Sequence, residues 1–290
     1  MRIPASYPMA LLAALLALAP VYILITLASD ATAIFDSHNL KILGNTLSLM
    51  VLTVIGSILI GVPLAFISAY VQLPFKKFWL VLFAAPLAIP SYIGAFTLYA
   101  AFGPGGEINQ LLGFETPPMY GLTGAAIVMT LYTFPFVMLT TRSSLLSLDA
   151  SMVNAARTLG MSMTMSVFRV ILPRVVNGIA AGSLLVALYT LSDFGTPAMM
   201  RLDTFTRVIY VEYNAFGLSR AAMLSLQLMV IVGFFIVYGV ANKNGLRASW
   251  SAINVISNEW SKVHDAINFC THFDFGDLLT ARYFLRVVSA

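Results

Sequence analysis

Charge is what this 290-residue sequence has least of: 10% of its residues are Asp, Glu, Lys or Arg, while 59% are hydrophobic. A soluble domain carries about 25% charged residues. A chain this poor in charge cannot cover a core with polar surface, so lipid must be its solvent. Cysteine occurs once, at Cys270, which excludes an internal disulfide and any cysteine-based metal cluster. The three histidines, His38, His264 and His272, lack the spacing of metal ligands. No resident metal or cofactor is expected. A phosphate-binding Gly-x-x-x-x-Gly-Lys-Ser/Thr loop is missing too, so the chain does not itself use ATP, and no enzymatic activity or catalytic residue is expected. The net charge of +4 and pI near 9.2 would suggest nucleic acid in a soluble protein. Here the basic residues sit at the ends of apolar runs, where they act as topology signals, and no nucleic-acid partner is expected.

What the sequence does have is apolar length. A membrane span needs about 20 apolar residues. Six segments qualify: 9–29, 47–71, 78–102, 121–141, 178–200 and 222–242, the second with room to start near Ile42. The first follows a lone Arg2, a pattern shared with cleaved signal peptides, but its length and lack of a small-x-small site favour an uncleaved helix. Lys76 and Lys77, then Arg142, Arg157, Arg169 and Arg174, then Lys243 and Arg247 occupy alternate connections. That bias places both termini in the cytoplasm. One connection, 201–221, breaks the pattern with Arg201, Arg207 and Arg220 against Asp203 and Glu212. The expected fold is all-α, a polytopic membrane protein with about six transmembrane helices over residues 1–243.

Prolines 63, 86, 90 and 135 fall inside the second, third and fourth spans, where each frees a carbonyl that neighbours or cavity water must satisfy. They are expected to kink helices around a pathway. After residue 243 the composition changes. Trp250, Ile253, Ile256, Trp260, Val263 and Ile267 recur at helical spacing opposite Ser251, Asn254, Asn258, Lys262 and Asp265. This amphipathic segment of a 244–290 tail suits the membrane interface, or packing on a partner subunit.

The most informative stretch is 149–174, within the connection 142–177. Asp149 suits a helix N-terminus. Ala155, Ala156 and Leu159 follow in a helix-forming stretch, and Gly160 is placed to end it in a left-handed turn. A second apolar arm, with Met161, Met165, Phe168 and Val170, leads to Leu172 and Pro173, and Pro173 marks either a break or the first turn of the next helix. Small side chains on the first arm let another protein approach closely.

These residues resemble the EAA loop of binding-protein-dependent ABC importer permeases: Glu-Ala-Ala, three residues, Gly, nine residues, Ile, one residue, Leu-Pro. Ala155, Ala156, Gly160, Val170, Leu172 and Pro173 fall at those spacings, with Asn154 in place of the Glu. The resemblance implies the type I ABC importer permease fold, with this loop docking on a separate ABC ATPase subunit, and Asn154 removes one charged contact. It also implies a periplasmic solute-binding protein that delivers the solute, a second permease unit and residence in the bacterial inner membrane, surrounded by lipid. The runs 86–96 and 102–106, and 191–197 with Asp203, Arg207 and Tyr210, are similar to ferric-iron-type permeases. That likeness implies ferric iron as solute, and either a single-unit permease that dimerises or one half of a duplicated permease. Asp193, near the outer end of the fifth span, is either a solute-path group or a helix cap. Tyr92, Tyr99 and Tyr189 line the path or form interface belts. An ion-coupled secondary transporter would instead show charges in mid-span and inverted repeats. A non-transporting scaffold would use the same loop for a different partner.

Overall fold

The computed structural model describes residues 6–29, 36–72, 74–103, 106–108, 119–149, 151, 158 and 160–241. Its elements are all helical: α1 (Ser6–Ala28), α2 (Ser37–Tyr70), α3 (Lys76–Ala84), α4 (Ser91–Phe102), α5 (Gly121–Leu146), α6 (Met163–Ser166), α7 (Leu172–Ser192), α8 (Gly195–Met199), α9 (Phe205–Asn214) and α10 (Leu218–Ala241). Helix α2 begins where Asp36 accepts a 2.7 Å hydrogen bond from the Ser37 N–H, the usual side-chain cap for a free helix N-terminus.

The bundle is built on α2, α5 and α7, which pack along one another. The buried face of α2 runs through Asn39, Ile42, Thr46, Leu49, Met50, Thr53, Ser57, Gly61, Ala65 and Ser68, every third or fourth residue. Much of it is small or hydroxyl-bearing. In lipid, burial of apolar surface gives little drive to associate, so close backbone approach and interhelical hydrogen bonds carry packing instead. Both occur here. Ser57 and Thr133 share a 2.9 Å hydroxyl hydrogen bond across α2 and α5. At Gly61 a Cβ would lie 2.8 Å from the Phe134 carbonyl oxygen. On α7, Gly178 and Gly182 form a Gly-x-x-x-Gly pair against α5; a Cβ at Gly182 would come 2.7 Å from Val137 Cα.

Among the described residues, four helical stretches are long and apolar enough to cross a membrane: Ser37–Tyr70, Gly121–Leu146, Val167–Ser192 and Leu218–Val237. The expected span 78–102 is not one straight helix. Lys76–Ala88 and Ser91–Phe102 meet at 87°, because Pro86 begins a 3₁₀ turn, Ala85–Ala88, and Pro90 forces the backbone extended before α4. Pro63 and Pro135, by contrast, lie within unbroken helices. The second span is longer than 47–71, and the fifth ends at Ser192, eight residues before its expected limit of 200. There Asp193 and Phe194 interrupt the helix before α8. The tail segment 250–267 lies outside the described residues.

Candidate functional site

Two regions at opposite ends of the bundle gather the residues singled out in the sequence. At one end the close of α2, the close of α5 and the start of α7 share a core of Ala65, Phe134, Met138, Leu139, Leu145, Ile171 and Val175. From this end the connection 147–171 departs. Asp149 accepts a 2.9 Å hydrogen bond from the Ser151 N–H. The Ser151 backbone, and then its hydroxyl, hold the Asp149 carboxyl below its ordinary value. Asn154, Ala155 and Ala156 lie outside the described residues. Gly160 is exposed and adopts φ +84°, with nothing within 4 Å of where a Cβ would stand. Its glycine is therefore demanded by backbone conformation alone.

After that turn Ser162 restarts the helix: its Oγ accepts from the Met165 N–H at 3.3 Å. Val167–Ile171 winds as a π-helical turn, continuing into α7, a distortion frequently found at functional sites. Ile171 is fully buried, whereas Met165 and Phe168 are exposed on the arm. Val170 and Leu172 are half-buried, and Pro173 is exposed in the first turn of α7. The arm is thus anchored by two buried residues, Ser166 and Ile171, and offers Met165 and Phe168 as an apolar outer surface.

The other end holds Asp193. One carboxylate oxygen accepts from the Ser91 hydroxyl at 2.8 Å, and the other from the Thr196 N–H at 3.0 Å. Its carbonyl accepts from the Thr206 hydroxyl at 2.8 Å. Asp193 thereby clasps the start of α4, just past the proline break, to α8 and α9. Tyr92 belongs to the same cluster: a Cβ at Gly195 would stand 2.7 Å from Tyr92 Cβ. Tyr189, one turn earlier on α7, stacks on Phe136 at 5.9 Å. Both line a cavity of about 100 Å³ with Pro86, Leu87, Ile89 and Tyr132 at the break. Tyr99 stands apart, packed on the core around Leu49, Ala125 and Met200, with the Arg201 guanidinium 5.7 Å from its ring centre.

The same end explains the connection that broke the charge pattern. Arg207 pairs with Asp203, Arg220 pairs with Glu212 at 3.3 Å, and Arg201 lies over Tyr99. These arginines have structural partners inside the fold. Sequence reasoning missed Ser91, Thr196 and Thr206, whose roles depend on partners far along the chain. It also missed Gly178-x-x-x-Gly182, a pattern legible without any structure.

A bundle of apolar helices, several of them long enough to cross a bilayer and one span broken at Pro86 and Pro90, defines a multi-pass membrane protein. The chain belongs to the family of binding-protein-dependent transport system inner membrane components, whose model matches residues 57–244. It is an ABC importer permease, a transport component and not an enzyme. It is 32% identical over 214 residues to the Fe(3+)-transport system permease protein FbpB 2 of Haemophilus influenzae, across 73% of this chain but only 39% of that protein. It is 30% identical to the spermidine/putrescine transport system permease protein PotB of the same organism, across 73% of this chain and 78% of that one. Further relatives are named for molybdate and tungstate. The inward-facing MetNI methionine ABC transporter shares the fold at TM-score 0.54 and 14% identity, covering 75% of this chain and 99% of that one.

Proposed function

We propose that this chain forms one unit of the solute path of an ATP-driven importer and is driven by a separate ATPase subunit that docks on residues 149–173. The observation that carries the reading is the arm after Gly160. A left-handed turn, a serine-capped restart and a π turn hold Met165 and Phe168 exposed while Ile171 is locked into the core of three spans. A push on that surface is delivered directly to α2, α5 and α7. Asn154, Ala155 and Ala156 would contribute the facing helix. A periplasmic solute-binding protein would load the opposite mouth, a second permease unit would complete the path, and both termini would face the cytoplasm.

Ferric iron is the solute we propose, supported by the 32% identity to an Fe(3+) permease. Among the described residues no group of three His, Cys, Asp or Glu could hold a metal ion. The path would therefore pass the ion on without trapping it. Asp193, Tyr92 and Tyr189 offer hard oxygen donors around the break, the type that suits a highly charged cation. Tyr99, engaged by Arg201, is the weakest of the path candidates. Proteoliposomes holding the chain, its ATPase and its second unit, with the solute-binding protein added outside, test both parts. The reading predicts ATP-dependent uptake of radiolabelled iron. Uptake of molybdate or spermidine in its place would overturn the solute. An intact assembly that takes up no solute under ATP would overturn the importer.

A further inference from the structure

A cavity that the transport path does not use lies between the end of α1, the start of α2 and the first half of α10. It measures about 620 Å³, within the ~300–1,000 Å³ of sites that bind small molecules. Its walls are largely apolar, with Leu40 and Leu43 on α2 and Leu226, Val230 and Ile231 on α10, and Ser29 and Gln227 add polar groups. Asn39 also lines it. Asn39 is only 5% exposed, and its side-chain oxygen has no hydrogen-bond partner. A buried acceptor left unmet is costly. A ligand that fills this largely apolar groove and carries a hydrogen-bond donor would meet that acceptor.

Depth says what that is. Helix α2 has 34 residues, about 51 Å at 1.5 Å per residue. The hydrocarbon core of a bilayer is about 30 Å, and about 40–45 Å with headgroups. Centred on the membrane and upright, α2 puts Asn39 roughly 22 Å from the midplane and Leu43 roughly 16 Å. Asn39 is at headgroup level, and Leu43 at the hydrocarbon edge. A molecule with a hydrogen-bond donor at the first depth and acyl chain below it is a phospholipid.

We infer that this groove is a structural phospholipid site, with acyl chain between α2 and α10 and a donor-bearing headgroup, such as ethanolamine ammonium, on Asn39 Oδ1. A choline headgroup has no N–H to give and binds less well. The test uses the full chain purified with its partner subunits, delipidated, then titrated with phosphatidylethanolamine or phosphatidylcholine and read by native mass spectrometry. Wild type should retain one phosphatidylethanolamine, preferred over phosphatidylcholine by about 5- to 150-fold, the cost of leaving that acceptor unmet. Asn39→Leu should keep the fold and abolish the preference. Leu226→Trp should expel both lipids. An unchanged preference in Asn39→Leu overturns the headgroup contact, and retention of lipid in Leu226→Trp overturns the groove. A photo-crosslinker at Val230 that captures a protein subunit and not lipid would show that a partner helix fills the space, which also overturns it.

Discussion

Replacing Gly160 separates backbone conformation from side-chain bulk, because the two effects are disentangled at this position. Its φ of +84° is left-handed, and a Cβ there would meet nothing within 4 Å. A substituent therefore clashes with nothing, and only the backbone preference changes. Holding an L-residue in the left-handed region costs about 1–2 kcal/mol, more for a β-branched side chain and less for asparagine, which visits that region readily. If the docking arm needs this turn, the arm's competent conformation falls by about 5- to 30-fold in Gly160→Val. The apparent affinity for the ATPase subunit falls by the same factor. Titrating purified ATPase subunit onto the permease in lipid nanodiscs measures this directly. Gly160→Val should bind 5- to 30-fold more weakly, Gly160→Asn should stay within about threefold of wild type, and both should melt at the wild-type temperature. Equal losses in the two variants would refute the reasoning, since bulk and not φ would then decide. Wild-type binding by Gly160→Val would refute it also.

Gly182→Val forces a Cβ to within 2.7 Å of Val137 Cα. Overpacking of this kind costs about 1–3 kcal/mol, so thermal unfolding in detergent should come several degrees lower, whereas Gly233→Val, with open space around it, should not move. Thr46 bridges the Phe205 N–H and the Ile42 carbonyl in a buried position. Thr46→Val should therefore destabilise by about 1–3 kcal/mol by denaturant titration, through the orphaned N–H. Ser91→Ala and Asp193→Ala should show a coupling of about 0.5–3 kcal/mol in a double-mutant cycle of stability, because they share one hydrogen bond. Additive effects would separate the two residues. The Asp149 carboxyl, held low by Ser151, lends its stabilisation at and above its ordinary value and loses it as pH falls further. ATPase binding should accordingly weaken more in acid for wild type than for Asp149→Asn.

The helices are legible because the sequence writes them in long apolar runs, and the turn at Gly160 and the helix start at Leu172 and Pro173 because these are local signals whose meaning needs no distant partner. Bends were harder. Four prolines look alike in sequence, yet only Pro86 and Pro90 break a span. Two prolines four residues apart leave no room for the helix to recover, while Pro63 and Pro135 each sit alone in a helix held on both sides by packing. Arg201, Arg207 and Arg220 read as a contradiction of topology because their partners, Tyr99, Asp203 and Glu212, had not been assigned to them. The clasp was invisible for the same reason: Ser91 and Asp193 lie 102 residues apart. A single carboxylate in a sequence does not say which hydroxyl it will meet. With both its oxygens engaged, Asp193 acts as the joint between α4 and α8.

The central claim is that the arm after Gly160 is where the ATPase pushes. Phe168, 63% exposed on that arm, is the position from which to ask. A photo-crosslinking amino acid placed there, in the assembled transporter, should form an adduct with the ATPase subunit, and the yield should change between nucleotide-free and ATP-bound states. An intact, ATP-hydrolysing complex whose residue 168 captures only lipid or another subunit would contradict the account.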